Sequence, residues 1–179
     1  MKFSRRMIYS STIWTNTIAI LVFLGSIVYQ GYHERNNQIE QNKKLLFMIS
    51  AEAQRNLISM HIYSEKNTKF SDYEKCLHLT DINNSDIDSI ITSSYGIKND
   101  VYSTLLDKFT SLPSNDLRFV MMYYSNTSDF KTYVRSIDSI IRSEGYDAIS
   151  HDQKINLLLQ YCVQSQTTKK VAEKFSIYR

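Results

Sequence analysis

The residues best suited to chemistry in this sequence are its cysteines, histidines and carboxylates. Cys76 and His78 form the one close Cys/His pair. Structural zinc sites usually present two such pairs at short spacings, and a second pair is missing here. His61 and Cys162 would join the first pair only through tertiary folding, so we expect neither a metal nor another cofactor.

The sequence also lacks the common catalytic motifs. It has no Gly-x-Ser-x-Gly turn for a nucleophilic serine, no glycine-rich phosphate loop and no His-Glu-x-x-His helix. Asp86, Asp88, Asp138 and Glu144 offer carboxylates for glycoside chemistry, but each also suits a helix end. We predict that the protein is not an enzyme. The alternative is an enzyme acting on envelope polymers, which a close pair of perturbed carboxylates in a cleft would support.

Two further features suggest contacts rather than catalysis. Cys76 and Cys162 are the only cysteines, and in an oxidising compartment they would pair as a disulfide, whereas otherwise they would be buried thiols. The chain is also rich in tyrosine, which is enriched at protein interfaces. Its densest apolar patch is a candidate partner surface, unless that helix is buried on all sides: Met121, Met122, Tyr123 and Tyr124.

An uncharged stretch from Met7 to Gly31 is expected to anchor the rest of the chain. A helix of about 20 residues crosses the hydrocarbon core of a bilayer, and Trp14, Tyr29 and Tyr32 stand where aromatic rings prefer the headgroups. We therefore predict a basic cytoplasmic tail over 1–7 and a transmembrane helix over 8–32. A cleaved signal peptide is the rival, but residues 24–31 show no Ala-x-Ala pattern, which favours a retained signal-anchor.

Charge supports this orientation and excludes one class of partner. Lys2, Arg5 and Arg6 account for the whole net charge of +3. Basic residues favour the cytoplasmic side, so we expect a single pass through the inner membrane with the C-terminal domain in the periplasm. From Met7 onward the acidic and basic residues balance, and we therefore expect no nucleic-acid partner.

Within the predicted span, small residues recur on one helix face. Ser11, Thr15 and Ala19 are spaced by four residues, a pattern that lets two helices approach closely, and Asn16 adds a side chain able to hydrogen-bond across a dimer. These four residues are candidates for a helix–helix contact in the membrane and for a homo-oligomer. The alternative is that Ser11 and Thr15 bond their own backbone carbonyls.

The rest of the chain predicts a helical soluble domain over 33–179. Four glycines and one proline are few, and apolar residues recur at spacings of three and four. We expect a juxtamembrane helix over 33–66, ending near Glu65, and a bundle over 67–179. The bundle helices should follow one another as 72–79, 85–96, 99–112, one capped by Ser114, one capped by Ser128 and ended by Gly145, one capped by Ser150 with Gln153, and a last one from Thr167.

One internal similarity is visible. The segment from Ile87 to Ser93 recurs fifty residues later as Ile137 to Ser143, with a single substitution. We interpret the similarity as chance between two amphipathic helices, because a repeat architecture needs about three units.

These features predict an all-α protein with one N-terminal transmembrane helix continuing into a helical-bundle soluble domain. The function that fits is a membrane-anchored protein–protein interaction module, an accessory or regulatory subunit of an envelope assembly. The alternative is a membrane-tethered signal-input, lysis, exclusion or immunity protein of a mobile element. Both rest on analogy of architecture rather than on motifs.

Overall fold

A computed structural model describes the backbone of residues 4–64 and 82–178 and the side chains of residues 20–60 and 82–178. All regular structure in these ranges is helical, which confirms the all-α prediction. The chain divides into two units, residues 1–42 and residues 43–179.

Helix α1 is described over Ser4–Ser64, 61 residues, and the predicted end near Glu65 lies outside the described residues. In the described part of the chain, no helix is long and apolar enough to cross a membrane. Ser11, Thr15, Asn16 and Ala19 lie outside the residues whose side chains are described, so the predicted contact between spans remains a prediction.

The second unit contains the bundle. Its helices are the C-terminal part of α1, α2 (Asn84–Gly96), α3 (Asp100–Leu105), α4 (Ser114–Glu144) and α5 (His151–Phe175), with short 3-10 helices at Leu106–Ser111, Tyr146–Ala148 and Ser176–Tyr178. The predicted helix at 72–79 lies outside the described residues. The predicted helix at 99–112 is instead a six-residue α-helix followed by a 3-10 helix.

Some helix ends follow the predicted local signals, but the predicted cap at Ser114 is wrong, because α4 begins at Ser114 after Pro113 and has no side-chain cap. Ser150 and Gln153 form the predicted capping box, and Gly145 ends α4 with a φ of 87°, a conformation that a residue with a Cβ rarely adopts. The predicted start at residue 85 is wrong by one residue, because Asn83 caps α2: its side chain accepts the N–H of Asp86 at 2.9 Å, and the Asp86 carboxylate accepts the N–H of Asn83.

Two predicted breaks are absent. Helix α4 runs 31 residues through Ser128, and α5 continues through Thr167 to Phe175. The hydroxyls of Thr127 and Thr168 donate to the carbonyls of Tyr123 and Gln164, four residues earlier, at 2.8 and 2.7 Å. A hydroxyl that bonds to a carbonyl four residues earlier is compatible with the interior of a helix. These polar residues therefore do not end the helix, as a proline or a glycine would.

Two clusters of buried side chains form the core of this unit. Helix α1 contributes to both, with Met60 in one and Ile49 in the other. Phe130 and Tyr161 pack in the first cluster, while Phe175 packs in the second. The long helices α4 and α5 therefore run the whole length of the core.

Candidate functional site

A groove lies between α4 and α5. These helices are antiparallel, since Asn126 bonds to Thr167 and Gln164 to Thr127, while Phe130 lies against Tyr161. The groove encloses about 370 Å³, within the range of small-ligand sites. We call it the α4–α5 groove, and its lining residues are Asn126, Asp129, Phe130, Asn156, Leu159, Gln160, Val163 and Gln164.

Gln164 is a fully buried polar residue of the groove. Its amide nitrogen donates to the hydroxyls of Thr127 and Thr168 at 2.7 and 3.1 Å. Both hydroxyls donate their own proton to a backbone carbonyl. Each can therefore only accept a hydrogen bond from Gln164. The orientation of the Gln164 amide is therefore fixed, and its Oε1 points away from the threonines with no hydrogen-bond donor among the described residues.

Gln160 lies one helical turn earlier in α5 and is half-buried. Its Oε1 is also buried and also without a donor in the described part of the chain. Residues four apart lie on one helix face, so the two buried carbonyls lie on the same face of α5. A buried acceptor without a donor costs about 1–3 kcal/mol, and among the described residues the Oδ1 of Asn99 is a third such atom.

The edge of the groove combines charge with apolar surface. Asp129 is exposed, and in the described residues no cation lies within ion-pair distance of it. None of the lining residues is basic. Leu159 and Val163 remain 36% and 41% exposed. The groove thus offers one negative charge, the polar side chains of Asn126 and Asn156, and an apolar rim.

Of the four residues of the predicted partner surface, two are exposed and two are buried. Met121 and Met122 are exposed, but Tyr123 and Tyr124 are only 0% and 3% exposed. The Tyr123 hydroxyl accepts from the amide of Asn56 at 2.8 Å. The tyrosines are held in the core by this bonding and by their rings, so only the two methionines can belong to a surface.

The partner of Tyr124 is a buried carboxylate on α1. Glu52 accepts the Tyr124 hydroxyl and the Val101 N–H, both at 2.8 Å. Burial raises the pKa of Glu52, an effect that the bond from Val101 opposes. Burial also raises the pKa of Tyr124, and the negative charge of Glu52 adds to it. Both carboxylate oxygens of Glu52 have donors. We therefore assign this network a structural role, in which it holds α1, α3 and α4 together.

Those of the remaining predicted residues that the structure describes lie apart from the groove lining. Cys162 is buried in the core and belongs to a disulfide. The only other cysteine in the sequence, Cys76, lies outside the described residues. Asp88 and Asp138 each accept a hydrogen bond from a tyrosine. No cluster of metal-ligating side chains occurs among the residues that the structure describes.

Sequence reasoning missed the groove itself. The signal was present as a polar run, Gln160, Gln164, Thr167 and Thr168, spaced along one side of an amphipathic helix. Such a run is normally a solvated face. Only the buried Thr127 of the opposite helix shows that Gln164 faces inward.

The chain matches no known family model, and no characterised protein or solved structure is measurably similar to it.

Proposed function

We propose that this protein is a membrane-anchored binding module whose helical domain captures another protein through the α4–α5 groove. The observation that carries the proposal is the open groove itself, on whose rim the apolar side chains of Leu159 and Val163 remain exposed. A bound partner would bury these two side chains.

The membrane attachment is proposed from the sequence. An uncharged stretch from Met7 to Gly31 follows the basic Lys2, Arg5 and Arg6, which supports a single span with a cytoplasmic N-terminus. A disulfide at Cys162 is typical of oxidising compartments. It therefore supports a periplasmic location for the helical domain.

In this proposal the protein acts by contact and not by catalysis. Attachment to the inner membrane confines the search for a partner to the membrane surface, as suits an accessory or regulatory subunit of an envelope assembly. Pairing of spans through Ser11, Thr15, Asn16 and Ala19 would add a homo-oligomer to this picture.

The test compares two exposed leucines in full-length protein purified from membranes in mild detergent. Leu159→Glu places a charge on the rim of the groove, while Leu106→Glu places it on another exposed leucine that does not line the groove. We expect a stoichiometric partner with wild type and Leu106→Glu, and its loss with Leu159→Glu. Recovery of no partner with wild type, or equal recovery with both variants, would refute the proposal.

A second candidate is a signal-input protein, which would include the lysis, exclusion and immunity proteins of mobile elements. The observation that favours it is α1, a single helix from Ser4 to Ser64. Two glycines inserted after Gln41 should abolish a response to an external partner while leaving partner binding intact. An unchanged response would remove this candidate.

A further inference from the structure

We infer that the turn between α2 and α3 carries a second binding site, in which three basic side chains take a phosphate group. These side chains, which we call the cationic triad, belong to Lys98, Lys131 and Arg135. None of them lines the α4–α5 groove. The inference is therefore independent of the capture function proposed above.

The fold brings the triad together from two elements. The ammonium group of Lys131 donates a hydrogen bond to the carbonyl of Ile97 at 3.0 Å, and Lys98 is the next residue in that turn. Arg135 follows Lys131 by one turn of α4, and residues four apart are neighbours on a helix surface. Lys98 and Arg135 are exposed and Lys131 is half-buried, so solvent reaches the triad.

The backbone that carries Lys98 is fixed by α1. The amide nitrogen of Asn56 donates to the Lys98 carbonyl, and the amide oxygen of Asn56 accepts the Lys98 N–H, both at 2.8 Å. The end of α2 also packs closely on α1, since a Cβ added to Gly96 would lie 3.0 Å from the Cβ of Ser59. A site held in this way loses less conformational freedom when a ligand binds.

No carboxylate neutralises the triad. Over the residues that the structure describes, none of its members forms an ion pair. The neighbouring carboxylates serve other cations, since Asp100 pairs with Arg55 at 3.2 Å and Asp138 pairs with Arg142 at 3.0 Å. Asp129 lies on the groove side of α4. The triad therefore presents a concentrated positive charge.

The positive field is visible at Lys131. Burial lowers the pKa of its ammonium group, and the charges of Arg135 and Lys98 lower that pKa further, whereas Asp100 acts in the opposite direction with a smaller effect. Like charges one helical turn apart also destabilise a helix. A bound anion would remove this repulsion between the members of the triad.

A purely structural role accounts for only one of the three cations. Helix α2 ends at this turn, with Ile97 as its C-cap, and Lys131 offsets the negative end of the helix. That end carries about half of an elementary charge, which a single lysine more than cancels. Lys98 and Arg135 are in excess of what α2 needs.

The chemistry of the triad fits a phosphate group. A phosphate monoester carries about 1.5 to 2 negative charges at neutral pH and three strong acceptor oxygens. The ammonium of Lys131 keeps two N–H donors beyond its bond to Ile97, and the guanidinium of Arg135 has five. A carboxylate has one charge and two oxygens, so it would pair with fewer members of the triad. The phosphate group can belong to a soluble molecule or to a lipid headgroup.

The experiment follows the backbone amide signals of full-length protein, labelled with ¹⁵N-lysine, in a neutral detergent. The probe is inorganic phosphate, and sodium chloride at equal ionic strength is the control for screening. We expect phosphate to shift the signals of Lys98 and Lys131 saturably. Lys108, an exposed lysine of the 3-10 helix Leu106–Ser111, should not respond, and chloride should give no saturable shift.

Two variants each remove one exposed charge of the triad, and Lys131 reports on binding in both. Lys98→Gln and Arg135→Gln should each weaken phosphate binding about two- to five-fold, the range of an exposed ion pair. Lys98→Arg keeps the charge and should restore the affinity. Lys108→Gln is the matched control and should bind as wild type does. Unchanged circular dichroism spectra will show that the variants are folded.

The two sources of the phosphate group are separated in nanodiscs. One preparation contains phosphatidylcholine alone, and the other also contains phosphatidic acid. If phosphatidic acid shifts the signals of Lys98 and Lys131 without added phosphate, the ligand is a lipid headgroup. If only inorganic phosphate shifts them, the ligand is soluble.

The inference is overturned if neither source shifts these signals, or if chloride produces the same shift as phosphate. It is also overturned if Lys98→Gln and Arg135→Gln bind phosphate as tightly as wild type. These outcomes involve no partner protein, so they leave the capture experiment with Leu159→Glu as a separate test of the groove.

Discussion

The hydroxyl of Tyr95, at the end of α2, donates a hydrogen bond to the carboxylate of Asp138 in α4. A second bond links the same two helices in the reverse sense, since Tyr146, just after α4, donates a hydrogen bond to Asp88 in α2. Both aspartates occupy the second position of the similar segments that begin at Ile87 and Ile137. The segments are therefore joined reciprocally, each aspartate accepting from the tyrosine that follows the other segment.

Removal of either hydroxyl should loosen the packing of α2 on α4. We expect Tyr95→Phe and Tyr146→Phe each to lower the free energy of unfolding by about 0.5–1.5 kcal/mol, the net worth of one hydrogen bond. Circular dichroism during denaturation of the full-length protein in detergent measures this. Tyr102→Phe is the control, because its ring packs on Phe109 and Tyr124 but no hydroxyl bond is present among the described residues.

Acid should remove the effect of Tyr95→Phe. The bonds from Arg142 and Tyr95 lower the pKa of Asp138. A lowered pKa in the folded state stabilises the protein above the ordinary pKa of aspartate, about 4, and that stability is lost as the pH falls through the folded value. The difference between wild type and Tyr95→Phe should therefore shrink below about pH 4. A difference that stays constant in acid would show that the charge of Asp138 plays no part.

Glu52 should give the opposite pH dependence. Burial raises its pKa from 4.5, so the folded state holds the proton more tightly than the unfolded state. Its contribution to stability is complete below pH 4.5 and is lost as the pH rises through the raised value. Denaturation of wild type between pH 4.5 and 7.5 should therefore show a fall in stability relative to Glu52→Gln. Parallel curves for the two proteins would contradict the assignment.

Gly145 should tolerate no side chain. Its φ of 87° combines with a ψ of 176°, a region open almost only to glycine, so Gly145→Ala should cost about 1–3 kcal/mol of stability. Gly31→Ala is the matched control, since an added Cβ there meets no atom within 4 Å and the backbone is helical. Equal melting temperatures for both variants would show that the turn after α4 rearranges without strain.

The disulfide of Cys162 should join it to Cys76 within one chain. We expect protein isolated from membranes to react with maleimide only after reduction, and reduction to leave its monomer mass on a gel unchanged. Cys162→Ser should expose one reactive thiol, at Cys76, and lower stability by about 2–5 kcal/mol. Two thiols reactive in unfolded, unreduced protein would reject the pairing, as would a dimer band that reduction removes.

The sequence predicted the parts of the fold that depend on local signals. Ser150 with Gln153 and the positive φ of Gly145 are set by neighbouring residues, so their positions were found correctly. The break predicted at Ser128 is absent, and its absence could not be predicted from neighbouring residues. Whether a hydroxyl caps a new helix or bonds back inside the old one depends on packing, and α4 continues because its inward face is buried on both sides of that point.

The candidate site could not be predicted from local signals for the same reason. Gln164 is buried because α4 places Thr127 opposite it, 37 residues away in sequence. Tyr123 and Tyr124 could be assigned to a surface or to the core only once Glu52 and Asn56 of α1 were known to meet them. Periodicity identifies a helix face, whereas the partner of that face is set by tertiary structure.

A membrane-held binding module is tested most directly by placing a photocrosslinking amino acid at position 159 of the full-length protein in intact cells. Membranes are then washed at alkaline pH and sedimented. A discrete adduct to another protein should be found in the sediment, and the same amino acid at position 106 should give none. Intact protein that remains in the aqueous fraction, or adducts that are the same from both positions, would contradict a membrane-held module that binds through the groove.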